Sequence, residues 1–173
     1  MIGISQLAKS FGGRTLFEGV SLQLNPGSRY GLVGANGSGK TTFLKIVAGD
    51  EQASDGQVNI PAQSRMGVLR QDLSLDDDQI IMDLAMMGDA EVWKLTQERA
   101  RMLEANEADG LADLELSLKN AGGYTLEARA GSILTGLGIP ASSHRMPLSS
   151  LSGGFKLRVL LAQVLLGGPD ILL

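Results

Sequence analysis

Eight consecutive residues in this 173-residue chain have the types and spacing for phosphate chemistry. Gly34-Ala35-Asn36-Gly37-Ser38-Gly39-Lys40-Thr41 fits the pattern G-x-x-x-x-G-K-S/T at every fixed position. Glycines are needed because backbone N–H groups must close on phosphate oxygens with no side chain in the way. A helix starting at the loop adds the positive end of its dipole. Lys40 would reach the terminal phosphates of a nucleotide as a point charge, and the Thr41 hydroxyl would ligate Mg²⁺. The candidate phosphate-binding residues are therefore Gly34, Asn36, Gly37, Ser38, Gly39, Lys40, Thr41 and Thr42, with Lys40 also the candidate catalytic cation. At average residue usage a chance match in such a chain has a probability of about 1%, so a Gly-rich turn with an exposed lysine is the weaker reading.

Such a loop works only between a strand and a helix. Tyr30-Gly31-Leu32-Val33 predicts a short buried strand running into it, residues 41–48 predict a helix, and Gly49 stands where a residue ending that helix would. Upstream, Ile2-Gly3-Ile4 through Leu7 and Val20-Ser21-Leu22-Gln23-Leu24 alternate as strands, separated by Gly12-Gly13 and closed by Asn25-Pro26-Gly27. Further strands are expected over residues 57–60 and 66–69. The texture then turns helical. Apolar stripes run Ile80, Leu84, Met87; Val92, Leu95, Met102; Leu111, Leu114, Leu118; and Leu126, Ala130, Ile133, Leu134, Leu137. They predict a helical subdomain between about residues 79 and 138, with the stripes as its core. Leu151-Ser152-Gly153-Gly154 opens another predicted helix, and Pro169-Asp170-Ile171-Leu172-Leu173 reads as the start of a buried strand.

A composition of 43% hydrophobic and 20% charged residues, with 23 glycines, fits one globular domain with a real core and excludes disordered and collagenous chains. With no cysteine, disulfides, thiolate zinc sites and thiol nucleophiles are excluded, and any metal must sit on oxygen. The best apolar run, residues 159–173, is interrupted by Gln163, Gly167 and Gly168, so no membrane span is expected. Met1-Ile2-Gly3-Ile4 lacks the basic start of a signal peptide, and a cytoplasmic location is expected. The net charge of −4 hides an asymmetry: residues 72–115 hold 13 acidic and three basic residues, a net of −10, leaving +6 elsewhere. That balance excludes a general polyanion binder, leaves a basic part able to hold a phosphate ligand, and makes the acidic stretch a solvated face. His144, the single histidine, reads as a surface-loop residue.

Together these motifs resemble the ATPase domains of the ABC family. Leu151-Ser152-Gly153-Gly154, 111 residues beyond Lys40, resembles the family signature, and Arg158, Val159, Ala162 and Gln163 match its flank. Gln71 resembles the Q-loop glutamine that contacts Mg²⁺ and the attacking water. Phe11 falls where an aromatic stacks on adenine, and residues 169–173 resemble the lead-in to the Walker B strand. The resemblance implies an α/β P-loop NTPase with an N-terminal antiparallel β subdomain and a helical subdomain, binding ATP and Mg²⁺. It adds Phe11, Ser152, Gly153 and Gly154 to the nucleotide-binding set, Gln71 to the catalytic set, and Thr41 and Gln71 to the metal set. The signature helix would supply a second anion site for the γ-phosphate held by a partner domain, so a second ABC domain is needed to complete a site. Read residue by residue, Phe11 could instead be core, Gln71 a solvated loop residue and the signature an ordinary helix cap.

The whole chain reads as one incomplete ABC domain: residues 1–71 a β subdomain with the P-loop core, 72–150 mainly helical, and 151–173 the signature helix with the start of the Walker B strand. The family's Walker B aspartate and following glutamate would come after Leu173, so the isolated chain is expected to be inactive in hydrolysis. Phe155 after the signature and the eighty residues between Gln71 and Leu151 resemble the ABC-F group, tandem-domain ATPases acting on ribosomes. So do Glu91-Val92-Trp93, Gln97-Glu98-Arg99, residues 123–131 and Gly138-Ile139-Pro140. The resemblance thus implies the N-terminal cassette of an ABC-F ATPase, with the ribosome as partner. The alternatives are the ATP-binding subunit of an ABC membrane transporter and a nucleotide-binding fragment that hydrolyses nothing.

Overall fold

Alternation of apolar residues along the first strand dictates the sheet, and one interruption of that alternation shapes it. The computed structural model describes residues 1–70 and 76–173, which divide into two units, Met1–Met66 with Leu173, and Gly67–Leu172. In the first, β1 (Ile2–Phe11) is the centre of an antiparallel sheet between β2 (Arg14–Leu24) and β3 (Asp55–Asn59). Ile2 and Ile4 are buried, then Leu7 and Lys9, so the inward face changes parity partway along the strand. The change is a β-bulge at Gln6, which has a φ of 49° and falls in a register shift against both neighbours. Gly56 on β3 makes room for it: with φ 80°, it lies so close that a Cβ there would strike the Gln6 carbonyl. The hairpin turns at Gly12 and Gly13, and Phe11 pairs with Arg14 across it.

Helix α1 (Lys40–Ala48) buries Ile46 and Val47 and ends as the sequence predicts. Gly49 adopts φ 82° and donates to Ile46 O at 3.1 Å, while the Asp50 N–H reaches Lys45 O at 2.8 Å. The strand expected over residues 30–33 does not form. Among the described residues no strand pairs with it, and Tyr30, Leu32 and Val33 are exposed, Val33 at 93%. Apolar composition gave the segment strand character, but a strand needs a neighbour to take its N–H and C=O groups.

In the second unit most of the predicted stripe residues form the core, with Met102, Leu111 and Leu114 outside its central cluster. Helices α2 (Ile81–Met86), α3 (Ala90–Glu104), α4 (Leu111–Asn120), α5 (Leu126–Gly136) and α6 (Gly153–Leu166) bury Leu84, Val92, Leu118, Leu134 and Val159 in one cluster. The α3 and α4 helices are tied at their surface by Arg99 and Glu115 at 2.5 Å. Glu115 also accepts from the Tyr124 hydroxyl, and this bond, ahead of Arg99, holds its carboxyl below the usual carboxylate range. Strand β4 (Met66–Gly67) pairs with β5 (Ile171–Leu172), a shorter strand than residues 66–69 suggested. His144 is not a surface residue. It is 5% exposed, its Nε2 lies 3.0 Å from Ile139 O, and its own carbonyl accepts from the Met82 N–H. A polar ring in a turn is buried here because a backbone carbonyl satisfies it.

Candidate functional site

Most of residues 36–42 line one concave surface within the first unit. Asn36, Gly37, Gly39, Lys40, Thr41 and Thr42 line a cavity of about 380 Å³ together with Leu16 of β2. That volume suits a small molecule. Gly37 and Gly39 take φ of 80° and 91°, and the Ser38 N–H bonds Ala35 O at 3.2 Å, which curls the loop ahead of the helix. Gly39 must be glycine on two grounds. Its backbone is left-handed, and a Cβ would sit 3.1 Å from the Phe17 ring and 3.4 Å from Leu16. Phe17 in turn meets Phe43 of α1 edge-on, with centroids 5.9 Å apart, so β2 seats both the loop and its helix.

The Lys40 Nζ donates to Gly34 O and Ala35 O, both at 2.8 Å, folding the cation back over the loop. No side chain caps the start of α1, and its first bond, Phe43 N–H to Gly39 O, leaves the N–H groups of Lys40, Thr41 and Thr42 without helical acceptors. Lys40 and the N-terminus of α1 lie in the wall of one cavity, and a cation beside the positive end of a helix dipole is chemistry that suits phosphate. The Thr41 hydroxyl in the same wall suits a hard cation bound with phosphate oxygens.

The remaining predicted residues distribute as follows. Phe11 is at the hairpin end of β1, half exposed and so not core, and is not among the residues lining the cavity. Ser152, Gly153 and Gly154 are exposed at the start of α6 in the second unit, where Ser152 precedes the helix with φ −67° and ψ 159°. Ser152 O accepts from the N–H groups of Phe155 and Lys156, both at 2.9 Å, and Cβ atoms at Gly153 or Gly154 would meet open space. The helix is pinned behind this start by Lys156 to Asp77 at 2.5 Å and by Arg158 to Leu137 O at 2.9 Å, with the guanidinium over the Phe155 ring at 4.7 Å. Gln71 lies outside the described residues. Leu16 and Phe17, which seat the loop, carried no motif. They lie on the part of β2 that precedes the strand expected over residues 20–24.

An antiparallel sheet carrying a P-loop helix, joined in sequence to a helical unit that ends in a signature-like helix, defines an ATP-binding cassette. The sequence model described as ABC transporter matches residues 17–173, and the chain belongs to this family. It is 46% identical over its whole length to the protein named "Probable ATP-binding protein YbiT" of Escherichia coli O157:H7, covering 34% of that protein. It is 33% identical over 99% of its length to ATP-binding cassette sub-family F member 3 of Pongo abelii, covering 24% of it. The chain thus spans about a third or less of these relatives. A solved structure, the nucleotide-free ATP-binding cassette of an ABC transporter, superposes with a TM-score of 0.68 at 19% identity, over 99% of this chain and 67% of that one. One of these relatives is by name a sub-family F protein, and the chain is an ATP-binding ABC domain. Among the described residues no helix is long and apolar enough to cross a membrane.

Proposed function

We propose that this domain is the N-terminal cassette of an ABC-F-type ATPase that binds Mg-ATP at residues 34–42, hydrolyses it together with a second cassette, and acts on the ribosome from the cytoplasm. The observation that carries the nucleotide part is one cavity lined by Lys40 and the first residues of α1. The ABC-F placement is supported by similarity along 99% of this chain to a sub-family F protein, of which it covers 24%. In this reading the N–H groups of the loop and of α1 hold the phosphates, and Lys40 leaves its two carbonyls for the phosphate oxygens. Thr41 and Gln71 would hold Mg²⁺, which when bound neutralises the charge that develops on the phosphates. Phe11 stacks on the adenine. Ser152, Gly153 and Gly154 offer the exposed N-terminus of α6 to the γ-phosphate bound by the second cassette, where it stabilises negative charge.

The test is phosphate release by the tandem protein carrying this cassette, with and without ribosomes. Stimulation by ribosomes that Lys40→Ala abolishes is the expected result. Stimulation only by a reconstituted membrane partner would move the protein to the transporter reading.

A further inference from the structure

The strand that carries Phe11 also carries a buried cation that the nucleotide site does not use. Lys9 is 7% exposed, and its Nζ donates to Glu51 Oε1 at 2.6 Å and Gln52 O at 2.7 Å. The same ammonium lies 4.5 Å from the centroid of the Phe11 ring. The Gln6 bulge is what makes this possible. It moves the inward face of β1 onto Leu7 and Lys9, and Phe11, two residues further on, follows the same parity. Glu51 and Gln52 follow directly on the turn that ends α1, where the Asp50 and Glu51 N–H groups both bond Lys45 O. Lys9 therefore links the exit of the phosphate-binding helix to the underside of the Phe11 ring.

We propose that Lys9 is a positioning residue for the base of the bound nucleotide, acting through Phe11. This inference rests on the proposed stacking role of Phe11. A cation fixed under one face of a ring sets the plane of the ring and draws its π density toward that face. The half-exposed remainder of Phe11 is then a rigid, less electron-rich platform, suited to an electron-rich purine. The anchoring of Lys9 by residues just past α1 holds that platform at a fixed place relative to the helix whose other end takes the phosphates.

The test compares ATP with inorganic tripolyphosphate, which has the phosphates and no base, by calorimetric titration of the chain and its variants. Lys9→Met is expected to raise the Kd for ATP roughly three- to tenfold and leave tripolyphosphate unchanged, the size of an exposed-to-buried cation–π contact. Lys9→Arg, which keeps a cation over the ring, restores ATP binding to within about twofold. On a Phe11→Ala background Lys9→Met has no further effect, since the ring it acts through is gone. Should Lys9→Met fail to fold, Glu51→Gln, which loosens the ammonium at a more exposed position, is expected to weaken ATP and not tripolyphosphate. Loss of both ligands in equal measure, or no loss at all, while Phe11→Ala remains base-selective, would overturn the inference and leave Phe11 standing. An unchanged ATP affinity in Phe11→Ala would instead overturn the stacking role itself.

Discussion

Gly39 concentrates the constraints of the P-loop in one residue, since its backbone conformation and the space around it both exclude a side chain. Gly39→Ala would force a β-carbon into the left-handed region and against Phe17, and should cost about 1 to 3 kcal/mol of stability. Thermal unfolding should show a lowered midpoint, with weaker ATP binding as α1 shifts off β2. An unchanged midpoint and affinity would mean that the loop is free to move. At this scale the sequence was most informative where the chemistry is contiguous: residues 34–42 are neighbours in the chain as well as in space. It was least informative about Lys9. Alternation continued from Ile2 and Ile4 puts Lys9 on the opposite face, and only the register of β1 against β2 and the distant β3 reveals the bulge that turns it inward. His144 reads as a surface residue for a related reason, because the local sequence does not specify the path that brings the Ile139 carbonyl to its ring.

Among the elements, α6 and the β1–α1 junction make separable predictions. Ser152 is exposed and its side chain caps nothing, so Ser152→Arg should change stability by no more than about 0.5 kcal/mol. In the tandem protein it should abolish hydrolysis at the facing site and leave ATP bound at residues 34–42, because it obstructs only what the partner's γ-phosphate approaches. Filter binding alongside phosphate release separates the two; equal loss of ATP at both sites would make the segment structural. At the β1–α1 junction, the hydrogen bond from Lys9 holds the Glu51 carboxyl below its ordinary value of 4.5. A carboxyl with a lowered folded-state pKa adds stability above its unfolded pKa and loses it as pH falls through the folded one. Unfolding midpoints should therefore drop between about pH 5 and pH 3, and the drop should be smaller in Lys9→Met. An equal drop in both proteins would show that this pair adds nothing. The helical stripes were legible because a period near 3.6 is a local property, and they appear in the core of the second unit as Leu84, Val92, Leu118 and Leu134.

For the whole molecule, the expectation of a buried strand at residues 30–33 and its exposed position carry a consequence. Tyr30, Leu32 and Val33 present apolar surface on backbone that no strand pairs with among the described residues, the condition under which chains associate edge to edge. The chain should scatter light increasingly with concentration, and Val33→Ser should reduce the scattering while leaving the unfolding midpoint close to the parent's. Scattering unchanged by that substitution would place the cause elsewhere. What makes the segment strand-like is its composition, whereas whether it pairs depends on which other chain lies beside it, and that is not written in residues 30–33 themselves.

The proposed function requires the cavity lined by residues 36–42 to be a site for nucleotide phosphates, with Lys40 as its cation. Calorimetric titration of the chain with Mg-ATP, beside Lys40→Ala, addresses this directly. One ATP should bind, and the variant should bind more weakly by about 1.5 to 3 kcal/mol, the worth of a charge-assisted hydrogen bond, without a change in unfolding midpoint that would signal a misfolded loop. An equal affinity in the two proteins would contradict the assignment, because the cation folded over Gly34 and Ala35 would then have no part in holding the phosphates.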